Sequence, residues 1–173
     1  MTKEIELRRH TDNDGDALTE EGVQAALEVG RELRGGYELL VSTGAQRATQ
    51  TLACFGCALA ERVPGGALVV PGLRSQFEDR WRSAYQEAGS GKLEALRAAD
   101  PELVAEDSAT LGAALGSVLD RLRDGGRALV VGHSPTNEAA VLGLTGEIVE
   151  PMSKGSGVLI AFDDEETRVE PLD

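Results

Sequence analysis

Short apolar runs, each the length of one β-strand, recur along this chain at residues 5–7, 37–41, 67–70 and 127–131, and the stretches between them carry apolar residues at helical spacing. Strands that alternate with helices are joined by crossovers, so they pair in parallel and bury both faces under helices. The pattern therefore predicts an α/β fold, a three-layer α/β/α sandwich with a mostly parallel central sheet. Two further strands are expected at 157–162 and 167–170, around the acidic turn Asp163-Asp164-Glu165-Glu166. With no repeat and no linker, residues 1–173 read as a single domain.

The helices have legible ends. Thr19 is a good N-cap with Glu20 and Glu21 in the first turn, where carboxylates suit the positive end of the helix dipole. Val23, Ala26, Leu27, Gly30 and Leu33 follow at helical spacing, and Gly35-Gly36 is the expected stop. A second helix starts near Gln46, carries Leu52, Ala53 and Leu59, and is expected to end before Pro64-Gly65-Gly66. Ser108 is read as the cap of a helix with Leu111, Leu115, Val118, Leu119 and Leu122 on one stripe, ending at Gly125-Gly126. Pro135 suits the first turn of a last helix that continues through 139–144. Between 73 and 107 the pattern loosens into one helix with Trp81, Ala84, Tyr85 and Ala88, a break at Gly89-Ser90-Gly91, and a short helix with Leu93 and Leu96. This is the expected substrate-side excursion.

In sheets of this kind ligands gather at the carboxyl ends of the strands. There the chain places an unusual set of side chains. Residues 5–7 lead into Arg9-His10, the strand near Val41 leads into Ser42 and then Arg47, and residues 127–131 lead into Gly132-His133-Ser134. The two histidines of the chain both stand at such strand ends. Arg9 and His10 are neighbours that a continued strand would turn to opposite faces, so a shared pocket requires the strand to end there. Arg8 is read as a solvated residue on the face opposite Arg9.

A phosphoryl group needs concentrated positive charge, and arginine supplies it as a permanently charged planar fork. Arg9 and Arg47 are the candidates, with helix amino termini after Ser42 and Ser134 adding N–H donors. Flanking cations disfavour imidazolium, leaving neutral rings with a free lone pair. His10 is thus placed to attack phosphorus and His133 to hydrogen-bond a phosphoryl oxygen, with no metal and no cofactor required.

At these residues the chain resembles the histidine phosphatase superfamily, also called phosphoglycerate mutase-like. The family's Arg-His-Gly appears as Arg9-His10-Thr11, its Leu-Thr-x-x-Gly as Leu18-Thr19-Glu20-Glu21-Gly22, and its Ser-x-x-x-x-Arg-Ala-x-Gln-Thr as Ser42 through Arg47-Ala48-Thr49-Gln50-Thr51. Its Gly-His appears as Gly132-His133. The resemblance implies a phosphoglycerate mutase-like fold, His10 as nucleophile, and Arg9, Arg47 and His133 as the phosphate pocket. Two departures stand out. Thr11 replaces a glycine, and Ser75 lies where a glutamate often serves as proton donor. Glu78 is placed in the catalytic set as donor, with Asp79, Asp14 and Asp16 as alternatives; Thr11, Asn13 and Ser134 are placed as substrate contacts, with a turn role for Asn13 weighing equally.

The implied activity is that of a metal-independent phosphatase passing through a phosphohistidine, its substrate a phosphorylated small molecule or a phosphoprotein. The alternatives are a phosphate- or phosphoprotein-binding module without turnover, and a phosphoglycerate-type mutase. A net charge of −13 argues against nucleic-acid or anionic membrane partners. The amino terminus lacks a signal-peptide core, so a cytoplasmic setting is expected. Cys54 and Cys57 form a C-x-x-C pair inside a helix, where they read as small buried residues and not as a redox or zinc motif. The Asp12–Asp16 acidic run fails as a calcium loop, since Val23 holds the place of the required twelfth-position glutamate. Glu138 is read as a solvated helix residue.

Overall fold

Both faces of the strand over 127–132 are apolar because both are covered. In the computed structural model, which describes residues 2–59, 63 and 67–173, Ala128 and Val130 pack into one core and Leu129 and Val131 into another. This strand, β6 (Arg127–Gly132), lies inside a six-stranded sheet of order β5-β4-β6-β1-β7-β8. The others are β1 (Lys3–Arg9), β4 (Leu39–Ser42), β5 (Ala67–Val69), β7 (Gly157–Phe162) and β8 (Thr167–Leu172). β5, β4, β6 and β1 run parallel, and β7 and β8 add antiparallel strands beyond β1. A small hairpin, β2 (Asn13–Asp14) with β3 (Ala17–Leu18), stands apart from the sheet.

Helices α1 (Glu20–Glu32) and α2 (Gln46–Ala58) cover one face through Ala26, Ala48, Leu52 and Phe55. The other face is covered by α5 (Pro101–Arg121) and α6 (Thr136–Thr145), with α3 (Glu78–Ala88) and α4 (Leu93–Ala99) packed beside them. The three-layer architecture with a mostly parallel sheet is as expected. The α5–α6 contact is close because it is made by glycines: a Cβ at Gly143 would lie 1.8 Å from the Ser108 carbonyl oxygen.

Several local expectations are corrected. Ser108 does not cap α5; it is buried mid-helix, and the cap lies eight residues earlier, where the Asp100 side chain accepts from the Leu103 N–H and Pro101 follows at the first turn. Helices α1 and α5 end before their glycine pairs, at Leu33 and Leu122 caps in extended conformation. Ala53 is exposed on α2, and the expected stop at Pro64-Gly65-Gly66 lies outside the described residues. Arg8 is not solvated. It is 7 % exposed, its Nε donates to Glu6 Oε2 at 2.6 Å, and its Nη1 donates to the carbonyl oxygens of Gly155 and Asp173. Tyr37 Oη closes the group by donating to Glu6 Oε1. Alternation did turn Arg8 away from the site, but into a buried group with Glu6, Tyr37, Gly155 and Asp173.

Candidate active site

Strand β1 ends at Arg9, and β1 pairs in parallel with β6 so that Arg9 stands opposite Gly132. The next residue on each strand is a histidine. That register alone places His10 and His133 side by side, with ring centroids 5.4 Å apart. The His10 N–H continues the ladder to the Gly132 carbonyl. Gly132 has no room for a side chain, since a Cβ there would meet Asn137 Oδ1 at 2.3 Å, and Asn137 in turn donates to the Arg8 carbonyl, pinning α6 to the end of β1.

Both rings are buried and neutral at ordinary pH. Burial lowers the His10 pKa from 6.5 to about 4, helped by the charges of Arg47, Arg9 and Lys154 and opposed by the Thr11 carbonyl. Burial is again the first cause for His133, lowered to about 3, followed by Arg47, His10 and Arg74. The arginines expected to keep the rings neutral therefore contribute, but desolvation leads. His10 Nδ1 lies 2.8 Å from the Thr11 carbonyl oxygen. His133 Nε2 lies 2.8 Å from Thr43 Oγ1, a partner nothing in the sequence marked.

Arg47 sits in the first turn of α2. Ser42 shapes the approach: its Oγ accepts from the Gly44 N–H and bonds Thr49 Oγ1, folding the strand end into the helix. Gln50 and Thr51 fasten that helix to the first loop, Gln50 Oε1 accepting from the Leu18 N–H and Thr51 Oγ1 from the Thr11 N–H. The amino terminus of α2 is not open, contrary to the expectation. Ala45 provides no side-chain cap, and the Asp16 carboxylate, carried in by the β2–β3 hairpin, accepts from the N–H groups of Gln46 and Arg47 and pairs with Arg47 Nη1 at 2.7 Å. Those contacts hold the Asp16 pKa below the usual carboxylate value against a desolvation that raises it.

Thr11 does not serve as a substrate contact. It is 1 % exposed and its hydroxyl donates to the Gly22 carbonyl at 2.7 Å. Its backbone does not need the glycine it replaces, because among the described residues every positive φ belongs to a glycine. Gly22 itself is fixed by closeness: a Cβ there would lie 2.0 Å from the Asp12 carbonyl oxygen. Asn13 spends its amide in the hairpin turn, donating to the Gly15 carbonyl.

A cavity of about 230 Å³ is walled by Arg47, Glu78, Trp81, Tyr85, His133 and Ser134, among others. Neither His10 nor Arg9 is among the residues that line it: His10 stands beside His133, and Arg9 Nη1 donates to the Met152 carbonyl. Burial lowers the Arg9 pKa, and Glu138 and Tyr85 oppose that shift. A larger groove, about 600 Å³, runs along residues 149–158 and β8 and includes neither histidine.

Glu78 is the carboxylate that reaches the cavity wall, where Arg74 Nε holds its Oε1 at 2.8 Å. Asp79 pairs with Arg82 on the surface, Asp14 is exposed on the hairpin, and Asp16 is committed to Arg47. Ser75 is buried away from this chemistry: its Oγ and Trp81 Nε1 both donate to Asp107 Oδ2 at 2.6 Å, which seats α3. Glu138 is not the solvated helix residue expected. It is 1 % exposed, its Oε2 meets Ser134 Oγ at 2.5 Å, and burial pushes its carboxyl up to about 7. Cys54 and Cys57 are free thiols, but not the buried residues expected: Cys54 is half-buried and Cys57 is exposed on α2.

No family model matches the chain, and no curated protein matches its sequence. Solved structures do. A phosphoglycerate mutase from Bacillus anthracis superposes with a TM-score of 0.69 at 19% identity, covering 99% of this chain and 92% of its own. The chain has a phosphoglycerate mutase-like fold. Also sharing this fold are the protein histidine phosphatase SixA complexed with tungstate, at TM-score 0.64, 20% identity and coverage of 98% and 96%, and a phosphoserine phosphatase from Entamoeba histolytica in complex with 3-phosphoglyceric acid, at 0.71, 15%, 99% and 97%. The phosphoglycerate mutase-like fold thus extends over 98–99% of this chain in each of these superpositions.

Proposed function

We propose that this protein is a phosphatase that hydrolyses a phosphomonoester or phosphoramidate through a phosphohistidine on His10. The observation that carries the reading is the state of that ring. A carbonyl only accepts, so the contact with Thr11 puts the proton on Nδ1 and leaves the Nε2 lone pair free. The lowered pKa keeps it free at neutral pH.

In the first step Nε2 bonds to phosphorus as the bond from phosphorus to the leaving atom breaks, and the leaving group takes a proton, for which Glu78 on the cavity wall is the proposed donor. In the second, water bonds to phosphorus, the phosphorus–nitrogen bond breaks, and the water's proton returns to the carboxylate. Arg9 and Arg47 offset the charge on the phosphoryl oxygens without a metal. His133 Nε2 shares a hydrogen bond with Thr43 Oγ1, and its buried Nδ1, without a hydrogen-bond partner among the described residues, is the ring nitrogen left for a phosphoryl oxygen. Among the described residues no helix is long and apolar enough to cross a membrane.

The test is brief reaction with an aryl phosphate, an alkaline quench and mass spectrometry. A phosphorylated His10 peptide, absent in His10→Ala along with turnover, is expected. Full activity in His10→Ala overturns the assignment. A binding module without turnover is the second reading, favoured by the commitment of Ser75 to Asp107 and of Asp16 to Arg47; it predicts anion binding with neither labelled peptide nor product.

A further inference from the structure

Ser134 lines the cavity beside His133 and Arg47, and its Oγ is 2.5 Å from Glu138 Oε2. Glu138 is 1 % exposed, and its Oε1 has no hydrogen-bond partner among the described residues. A serine hydroxyl has a single hydrogen. An ionised carboxyl can only accept, so it takes that hydrogen and leaves Oγ showing lone pairs to the cavity. A protonated carboxyl donates its own hydrogen to Oγ, and the serine hydrogen is then free to turn into the cavity.

We propose that Glu138 is a positioning residue that sets whether Ser134 offers an anion in the cavity a hydrogen-bond donor or only an acceptor. The inference rests on the reading of this cavity as the phosphoryl pocket. Among the described residues, the charged side chain that acts most on Glu138 is Arg9 on β1, and Ser134 adds a hydrogen bond. The buried carboxyl on neighbouring α5, Asp107, is held by Ser75 and Trp81. Burial outweighs these partners, and with its pKa at about 7 Glu138 changes state near neutrality. The donor form prevails below that pH and the acceptor form above it. His10 and His133, at about 4 and about 3, remain neutral throughout.

Sulfate is the appropriate probe because it stays a dianion across the range. Its affinity is measured by calorimetry on the intact protein from mildly acid to mildly alkaline pH. In the wild type, binding is expected to weaken about tenfold as pH rises through neutrality, the size of one hydrogen bond to a charged group. Glu138→Gln, neutral at every pH, is expected to bind without a slope, and Ser134→Ala weakly without a slope. A wild type that binds sulfate equally at both ends of the range overturns the proposal. So does a Ser134→Ala that keeps the wild-type slope, since the charge of Glu138 would then act directly. No sulfate binding at any pH by folded protein overturns both this inference and the pocket reading. Should Glu138→Gln fail to fold, wild type and Ser134→Ala decide the matter.

Discussion

His10 Nδ1 and the carbonyl oxygen of its own neighbour Thr11 are 2.8 Å apart, so the backbone that ends β1 also sets the tautomer of the ring it presents. The same burial that keeps His10 and His133 neutral makes the folded state sensitive to acid. Each ring has a folded pKa, about 4 and about 3, below its unfolded 6.5. Below pH 6.5 the unfolded chain takes up protons that the folded chain refuses, so stability falls as pH drops from there toward the folded values. Glu138, raised from 4.5 to about 7, acts in the opposite sense and offsets part of this between those two values. Thermal unfolding between pH 7 and 5 should show a net loss of stability, and His133→Ala should flatten it by about 1–2 kcal/mol.

Arg47 faces both rings electrostatically from the first turn of α2. Its planar fork matches a phosphoryl group in a way an ammonium does not. Arg47→Lys is therefore expected to lower kcat/KM for an aryl phosphate by about 10²–10³-fold, the loss typical of one donor to a developing oxyanion. Steady-state kinetics on the folded variant measures it.

Glu78→Gln separates a proton donor from a surface carboxylate. A donor matters most when the leaving group is a poor one, so hydrolysis of an alkyl phosphate should drop by about 10²–10⁴-fold while that of 4-nitrophenyl phosphate changes little. Equal small effects on both substrates would remove Glu78 from the mechanism.

Two packing predictions concern stability alone. Arg8→Ala strands the buried Glu6 carboxylate and should cost about 3–5 kcal/mol in urea unfolding. Gly143→Ala forces a methyl into the Ser108 carbonyl and should cost about 1–3 kcal/mol or more by the same measurement, with the helices pushed apart.

What the sequence determined by itself is what depends on neighbours along the chain. Periodicity specified strand or helix, the order of elements specified a layered sheet, and strand ends located Arg9, His10, Arg47 and His133, because each signal lies within a few residues. Tertiary structure decided the fate of the polar groups. Arg8 is buried because Gly155 and the carbonyl of Asp173 come to it from the other end of the chain, Ser75 turns inward because Asp107 waits on α5, and Asp16 closes the end of α2 from a hairpin some thirty residues earlier. Glu138 is one helical turn from Ser134, yet its burial depends on what α6 packs against. Whether a charge meets water or another side chain is settled by partners distant in sequence, and local pattern carries no record of them.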